Sequence, residues 1–300
     1  LQSLRHTSSY CPVCEQPAIP RRSIPPGCVL RACPQCKLEF LDPQPDDATL
    51  AGIYGDDYFL GERSTEATAR RSKMKAATGA LYIDELARMV RPENAELLEV
   101  GCGHGETLLE ASRRGFRVTG IEISPNAAAI ANARLGEPAV LVGTLETLSL
   151  GRRQFRAVLA ADVIEHVRDP AGWLSRIHDL LIPGGVLLLI TPSLDSWTRR
   201  MMGNRWIEYK LEHLYYFSAA SMRLLLERGG FEEVRVAASR KVLTIDYIAR
   251  HFERFSHPVL SPLISGLRAV IPGKIAHGHL WVPASGLKAI SRKPEGGHPQ

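Results

Sequence analysis

Long apolar runs are missing from this chain of 300 residues. None approaches the roughly 18 residues a membrane-spanning helix needs, and the longest, Val186 to Ile190, has the length of a strand. The opening LQSLRHTSSYC carries no apolar stretch of the kind a secretory signal requires. Charge of one sign is also scarce. The balance of 37 basic against 32 acidic side chains, +5 in all, permits an anionic partner without demanding one. Aromatics make up 7% and are not interleaved with a basic stripe near the N-terminus, which weighs against a nucleic-acid-binding face there. No internal repeat is visible. With 45% hydrophobic and 23% charged residues, disorder, collagen and coiled coil are excluded. The chain reads as cytoplasmic, without a membrane span, in a compartment that keeps thiols reduced.

Of six cysteines, four fall in two pairs, Cys11-Pro-Val-Cys14 and Cys33-Pro-Gln-Cys36. This C-x2-C…C-x2-C spacing lets two tight turns each present two thiolates to one ion and complete a tetrahedron. A site with four Cys ligands is closed, so structural Zn2+ is expected, with Cys28 a weaker competitor. Residues 1–45 then form a zinc ribbon and its Pro-rich linker, too short to bury a core without the metal.

Residues 46–92 are helical in pattern and read as a cap, with a basic stretch at Arg70, Arg71, Lys73 and Lys75 expected to be a solvated helix face. From 93 the texture changes to short apolar runs alternating with amphipathic segments. Strands are expected at Glu96–Val100, Phe116–Ile121, Ala139–Gly143, Phe155–Ala160, Val186–Thr191, Phe231–Ala238 and Ala284–Ser291. Helices are expected at Thr107–Arg114, at Pro125–Arg134 behind an N-cap at Ser124, at Ala171–Leu181 and after Ser218. Such alternation predicts an α/β fold: a doubly wound, mostly parallel, seven-stranded Rossmann-like sheet over 93–292. Residues 241–282 read as an inserted lid of broken helices and 293–300 as a tail.

The chemistry concentrates in Leu97-Leu-Glu-Val-Gly-Cys-Gly-His-Gly105, where a strand runs into a turn with glycine at alternate positions. Glycine serves where backbone turns sharply and a ligand must approach without a Cβ in the way. About twenty residues on, Glu122 ends the next strand, where an acid accepts hydrogen bonds from ribose hydroxyls. The dinucleotide fingerprint G-x-G-x-x-G is absent, because position 106 is Glu and not Gly. A carboxylate there suits a ligand with a positive centre and no phosphate, which points to S-adenosylmethionine over NAD.

These residues resemble the first motif of class I S-adenosylmethionine-dependent methyltransferases, E/D-x-G-x-G-x-G, with Glu99 in the leading acidic place. Leu159-Ala-Ala-Asp-Val-Ile-Glu-His-Val167 resembles the motif after the fourth strand, and Leu181-Ile-Pro-Gly-Gly-Val-Leu-Leu-Leu189 the one leading into the fifth. Glu212-His-Leu-Tyr-Tyr-Phe-Ser218 and the paired-Cys head are similar to the ubiquinone-methylase-like branch that carries an N-terminal zinc ribbon. The resemblance implies cofactor contacts from Glu99, Gly101, Cys102, Gly103, Gly105, Glu122, Ile123, Thr144, Leu145, Ala161 and Asp162. Two departures stand out: Thr144 replaces the Asp often found after the third strand, and Arg156 replaces an Asp. Methyl transfer to a phenol or alcohol needs a base, and His166 and His213 are the candidates, with a packing or capping role the alternative for each and no catalytic metal expected at Glu165-His166. Tyr54 and Tyr58 are expected either over the cofactor, as part of the cap, or anchoring that cap by burial. Phe252, Phe255, Leu260, Leu263, Ile264 and Leu267 are expected to pack on the sheet or line a substrate cavity.

The function expected is methyl transfer to oxygen or carbon of a small-molecule acceptor that is quinone-like, phenolic or sugar-derived. An RNA methyltransferase gripping its substrate with the zinc ribbon, and a scaffold that binds the cofactor without turnover, are the alternatives.

Overall fold

The computed structural model describes residues 10–24, 27–53, 65–254 and 260–296. Tyr54, Tyr58 and Phe255 lie outside the described residues. The N-terminal strands are Ile19–Ile24 (β1), Cys28–Ala32 (β2) and Glu39–Leu41 (β3). The helices Asp47–Ile53 and Thr65–Ala87 follow. The main sheet is built from Glu96–Val100 (β4), Arg117–Glu122 (β5), Val140–Val142 (β6), Phe155–Ala161 (β7), Leu181–Pro192 (β8), Glu232–Leu243 (β10) and Leu280–Arg292 (β11). Its order is β10-β11-β8-β7-β4-β5-β6. The five neighbouring strands β8, β7, β4, β5 and β6 are parallel, and β11 lies antiparallel between β8 and β10. The expected seven-stranded, mostly parallel sheet is present.

Helix boundaries follow local chemistry. Ser124 accepts from the Ala127 N–H and Pro125 opens the helix Pro125–Leu135, which Gly136 ends at φ 78°. Asp169 accepts from Gly172 to start Pro170–Leu180, and Ser218 caps Ala219–Arg228. The hydrophobic strand interiors are buried on both faces, as a sheet with helices on both sides demands. Two differences from the sequence reading arise in the edge regions. Pro183, Gly184 and Gly185, which lie between the expected helix Ala171–Leu181 and the expected strand Val186–Thr191, form an irregularity inside β8: Phe155 pairs with Leu181, and Ala157 with Val186. The last two strands also run further than expected, because Arg240–Leu243 pairs with Leu280–Pro283.

The inserted stretch therefore comprises a strand extension and three helices, Ile245–Arg254, Leu260–Val270 and Gly273–Ala276. Phe252 packs near Trp206 and Tyr216, but Leu263 and Leu267 are exposed, so they do not pack on the sheet as expected. A two-residue strand, Tyr215–Tyr216 (β9), leaves the main domain and completes the N-terminal sheet in the order β1-β2-β3-β9. The head thus shares a sheet with a segment more than 170 residues downstream.

Candidate active site

Strand register places the candidate residues on one edge. Val100 pairs with Ile121 on one side and with Ala160 on the other, while Glu122 pairs with Val142. Gly101, Glu122 and Ala161 consequently emerge together at the carboxyl ends of adjacent parallel strands, the position where ligands bind in this architecture.

The glycine turn is tightly constrained. Gly101 has φ 72°, and a Cβ there would lie 2.5 Å from Val163 Cγ2. Gly105 has φ 75°, and a Cβ there would lie 2.9 Å from Ala131 Cβ. At Gly103 a Cβ would meet nothing within 4 Å, so the turn presents bare backbone to open space. The Gly103 N–H donates to Glu122 Oε2 at 2.8 Å, and the Ser124 N–H donates to Glu122 Oε1 at 2.9 Å.

Glu99, Gly101, Cys102, Gly103, Ala161 and Asp162 wall a cleft of about 320 Å³. Gly105, Glu122, Ile123, Thr144 and Leu145 stand outside those walls. Ile123 is exposed, Leu145 is buried, and the Thr144 hydroxyl is engaged with the Thr147 N–H and hydroxyl. Burial pushes the Glu99 carboxyl up to about 8, reinforced by Glu106 and Glu122, against the opposing hydrogen bond from Thr107. Burial also raises the Cys102 thiol. Burial acts to raise Glu106 as well, but its hydrogen bond with Arg134 and the nearby Lys75 hold it below the ordinary value. Glu106 lies 2.7 Å from Arg134 and accepts from the Ser72 hydroxyl. The carboxylate that breaks the dinucleotide fingerprint is therefore already paired, and it ties three helices together.

Sequence reasoning missed the opposite wall. Met74, Lys75, Thr78, Gly79 and Tyr82 come from the helix Thr65–Ala87, and Lys241, Val242 and Tyr247 from β10 and the helix after it. One signal was present: Gly79 sits inside a helix, where glycine is costly, because a Cβ there would lie 2.7 Å from Thr107 Oγ1. It marks the close approach of this helix to the one that follows the glycine turn. Across the cleft, Lys241 Nζ meets Asp162 Oδ2 at 2.6 Å. Desolvation pulls the ammonium down, but the charge and hydrogen bond of Asp162 together with Tyr82 and Glu208 outweigh it, and the pKa is raised.

His166 and His213 come together behind this edge, with ring centroids 4.8 Å apart. His166 sits on the single turn Ile164–His166 after β7, with Nδ1 3.0 Å from the Glu212 carbonyl. His213 Nδ1 is 2.9 Å from the Glu208 carbonyl. A carbonyl can only accept, so each Nδ1 carries the proton and each neutral ring keeps its lone pair on Nε2. Burial lowers His166 to about 4 and drives His213 well below its ordinary value. Neither ring lines the cleft. Glu165 joins them, so that one ligand atom from each of the three residues lies within 4.8 Å of the others. Its Oε2 accepts from the Thr191 hydroxyl at 2.9 Å, while Oε1 is buried with no hydrogen-bond partner among the described residues. Burial, then the Asp162 charge, raises this carboxyl to about 8.

In the head, Cys11, Cys14, Cys33 and Cys36 are buried, with all four sulfurs within 4.8 Å of one another. Cys11 Sγ lies 3.5 Å from Cys36 Sγ, and Cys14 Sγ lies 3.3 Å from Cys33 Sγ. A tetrahedral zinc with bonds of about 2.3 Å needs sulfurs about 3.8 Å apart, so the donor set fits. Cys28 is buried but is not part of this cluster.

Residues 71–236 match a family model described as a methyltransferase domain. The ubiquinone biosynthesis O-methyltransferase of Cereibacter sphaeroides is 29% identical over 121 residues, 38% of this chain and 49% of that protein. Its counterpart in Azorhizobium caulinodans is 32% identical over 128 residues, 40% and 51% respectively. The chain spans about half the length of these curated relatives. Among solved structures, phosphoethanolamine N-methyltransferase 2 of Haemonchus contortus, in complex with S-adenosyl-L-methionine, superposes with a TM-score of 0.55 at 19% identity. That match covers 85% of this chain and 62% of the other. The family match runs from the helix over the cleft into β10, more than half of the 300 residues, and on that extent this chain belongs to the methyltransferase-domain family.

Proposed function

We propose that this protein moves a methyl group from S-adenosylmethionine to oxygen or carbon of a small-molecule metabolite, quinone-like, phenolic or sugar-derived. The observation that carries the reading is the cleft itself. Bare backbone at Gly103 faces open space, a buried acid locks the turn from the neighbouring strand, and a second buried acid, Glu99, stands behind it. The bound donor would supply a methyl activated by its sulfonium. The chain's tasks are then alignment and exclusion of water. The two Glu122 oxygens, each already taking one N–H, retain lone pairs for hydroxyl donors. Glu99 offers a buried carboxyl that can give up its proton and become negative beside a cationic ligand. The family relatives named for ubiquinone O-methylation support an oxygen acceptor.

His166 and His213 fit better as cation ligands than as a free base. A ring held near pKa 4 takes a proton from a phenol poorly. A neutral imidazole whose Nδ1–H is tied to a carbonyl is the usual arrangement of a metal-bound histidine, and Glu165 Oε1 has no other partner among the described residues. Glu165, His166 and His213 would hold a divalent cation, whose chemistry is to polarise an acceptor oxygen. The four head cysteines would hold structural zinc.

The test is calorimetric titration with S-adenosylhomocysteine, with NADH as the control. Binding of the first alone is expected; binding of NADH alone would overturn the assignment.

A further inference from the structure

The helix Leu260–Val270 is turned the wrong way for water. The Ser261 hydroxyl donates to the Phe252 carbonyl, and Arg268 reaches Asp246 at 3.1 Å, so two polar side chains at i and i+7 face the neighbouring helix Ile245–Arg254. Leu263, Leu267 and Val270, at i, i+4 and i+7, are each more than half exposed. A surface helix of a globular protein shows the opposite arrangement. The apolar surface continues along the chain. Ile275 and Trp281 are also more than half exposed, and no other stretch of comparable length among the described residues exposes as many large apolar side chains. Beyond Trp281, the exposed Trp197 donates its indole N–H to the Pro283 carbonyl at 3.0 Å. Single apolar residues on a surface need no explanation, but a cluster of this extent marks a contact.

The sequence of this stretch indicates what the contact is. From 254 to 294 it contains no Asp or Glu, while Arg254, Arg268 and Lys274 fall within or beside the apolar run. Arg240, exposed on β10, stands across the strands from Pro283. Two copies of the chain meeting through this face would set one acid-free stretch against another, with no carboxylate from either stretch to pair its basic residues. An anionic lipid surface meets no carboxylate from the stretch either, and there the mismatch disappears. Apolar side chains on one helix face with basic residues nearby are the combination that holds a helix in the headgroup region. Tryptophan, with an apolar ring and one N–H, suits that depth. We propose that Leu263, Leu267, Val270, Ile275 and Trp281 form a docking face for the surface of an anionic phospholipid bilayer. The face stands independently of the methyltransferase reading. On that reading it brings the cleft to the membrane, because Tyr247 of the adjoining helix is one of the cleft walls.

The full-length protein is mixed with vesicles of equal parts phosphatidylcholine and phosphatidylglycerol, and separately with vesicles of phosphatidylcholine alone. Binding is read by co-sedimentation and by tryptophan fluorescence. The mixed vesicles are expected to bind at least tenfold tighter than phosphatidylcholine alone. Leu267→Ser combined with Val270→Ser should weaken that binding at least tenfold. Melting temperature and S-adenosylhomocysteine affinity should stay at wild-type values in this variant, because both side chains are exposed. Trp281→Phe should remove a large part of the blue shift that lipid induces, since Trp173 and Trp206 are buried. Absence of vesicle binding, or binding that the double variant leaves unchanged, overturns the docking face. Equal binding to both kinds of vesicle overturns the anionic assignment. A dimer in sedimentation velocity that the double variant separates into monomers assigns the face to a second copy and overturns the proposal. Vesicle binding by a protein that takes up no S-adenosylhomocysteine supports the face and counts only against the methyltransferase reading.

Discussion

The main-chain N–H of Gly103 donates to the Glu122 carboxylate at 2.8 Å, joining the glycine turn after β4 to the end of β5. One acid therefore shapes the turn by taking the N–H groups of Gly103 and Ser124, and on the proposed reading it also meets the ligand. A hydrogen bond to a charged acceptor contributes about 1.5–3 kcal/mol. Glu122→Ala should reduce S-adenosylhomocysteine affinity at least tenfold by calorimetry, and Glu122→Gln, which can still accept one N–H, should lose less. Wild-type affinity in the alanine variant would remove Glu122 from the site.

Glu99 and Glu165, each raised to about 8, predict the sign of a pH dependence. Between about 4.5, the ordinary value, and about 8, the folded chain keeps protons that the unfolded chain releases. Stability from these groups is complete below that window and declines as pH rises through it. Glu99→Gln should accordingly raise the melting temperature more at pH 8 than at pH 5, while Glu165 preserves part of the slope. Equal shifts at both pH values would contradict a buried, raised Glu99.

The same carboxyl couples ligand binding to protons. A cationic ligand beside Glu99 favours its ionised form, so binding at pH 7 should release close to one proton. Calorimetry in buffers of different ionisation enthalpy reads this directly. Glu99→Gln should abolish the buffer dependence; persistence of the dependence in that variant would place the proton elsewhere.

The cysteine cluster predicts one bound zinc per chain by elemental analysis, lost in Cys14→Ser. Its removal should not spare the rest of the protein. Tyr215–Tyr216 pairs with Glu39–Phe40, and the Ser218 hydroxyl donates to the Cys36 carbonyl at 3.2 Å. Chelation is therefore expected to lower the melting temperature of the whole chain in one transition. Two separated transitions, the head melting first, would show that the head folds apart from the main sheet.

For the histidine pair, His166→Ala and His213→Ala should each cut turnover at least a hundredfold while S-adenosylhomocysteine affinity holds. Binding of Mn2+, followed by electron paramagnetic resonance, should be lost in both variants and in Glu165→Gln. Undiminished turnover in both alanine variants would exclude any role at the reacting atoms. Loss of turnover without Mn2+ binding by the wild-type protein would return the pair to base catalysis.

Much of this was legible in local sequence because the relevant forces are local. Cys11 and Cys14, or Cys33 and Cys36, sit on turns whose geometry two intervening residues define. Gly101 and Gly105 follow from backbone angles that side chains resist, and Ser124 with Pro125 announces its helix by capping alone. Parallel pairing of apolar strands then lines up Gly101, Glu122 and Ala161 at one edge, so the candidate site could be placed without knowing the rest of the fold.

What surrounds that site depends on contacts between segments far apart in the chain, and those only the tertiary structure decided. Arg70 and Arg71 on a helix are indistinguishable in sequence from a solvated face; they become a cavity wall because Arg250, His277 and His279 arrive opposite them. Lys241 extends beyond the apolar part of its strand and finds Asp162 79 residues away. His166 and His213 lie on separate segments, yet backbone carbonyls at Glu212 and Glu208 lock their tautomers. Backbone turns and metal spacing are written into neighbouring residues. Charge balance, burial and the resulting proton affinities are sums over whatever the fold brings near, and no stretch of sequence contains them.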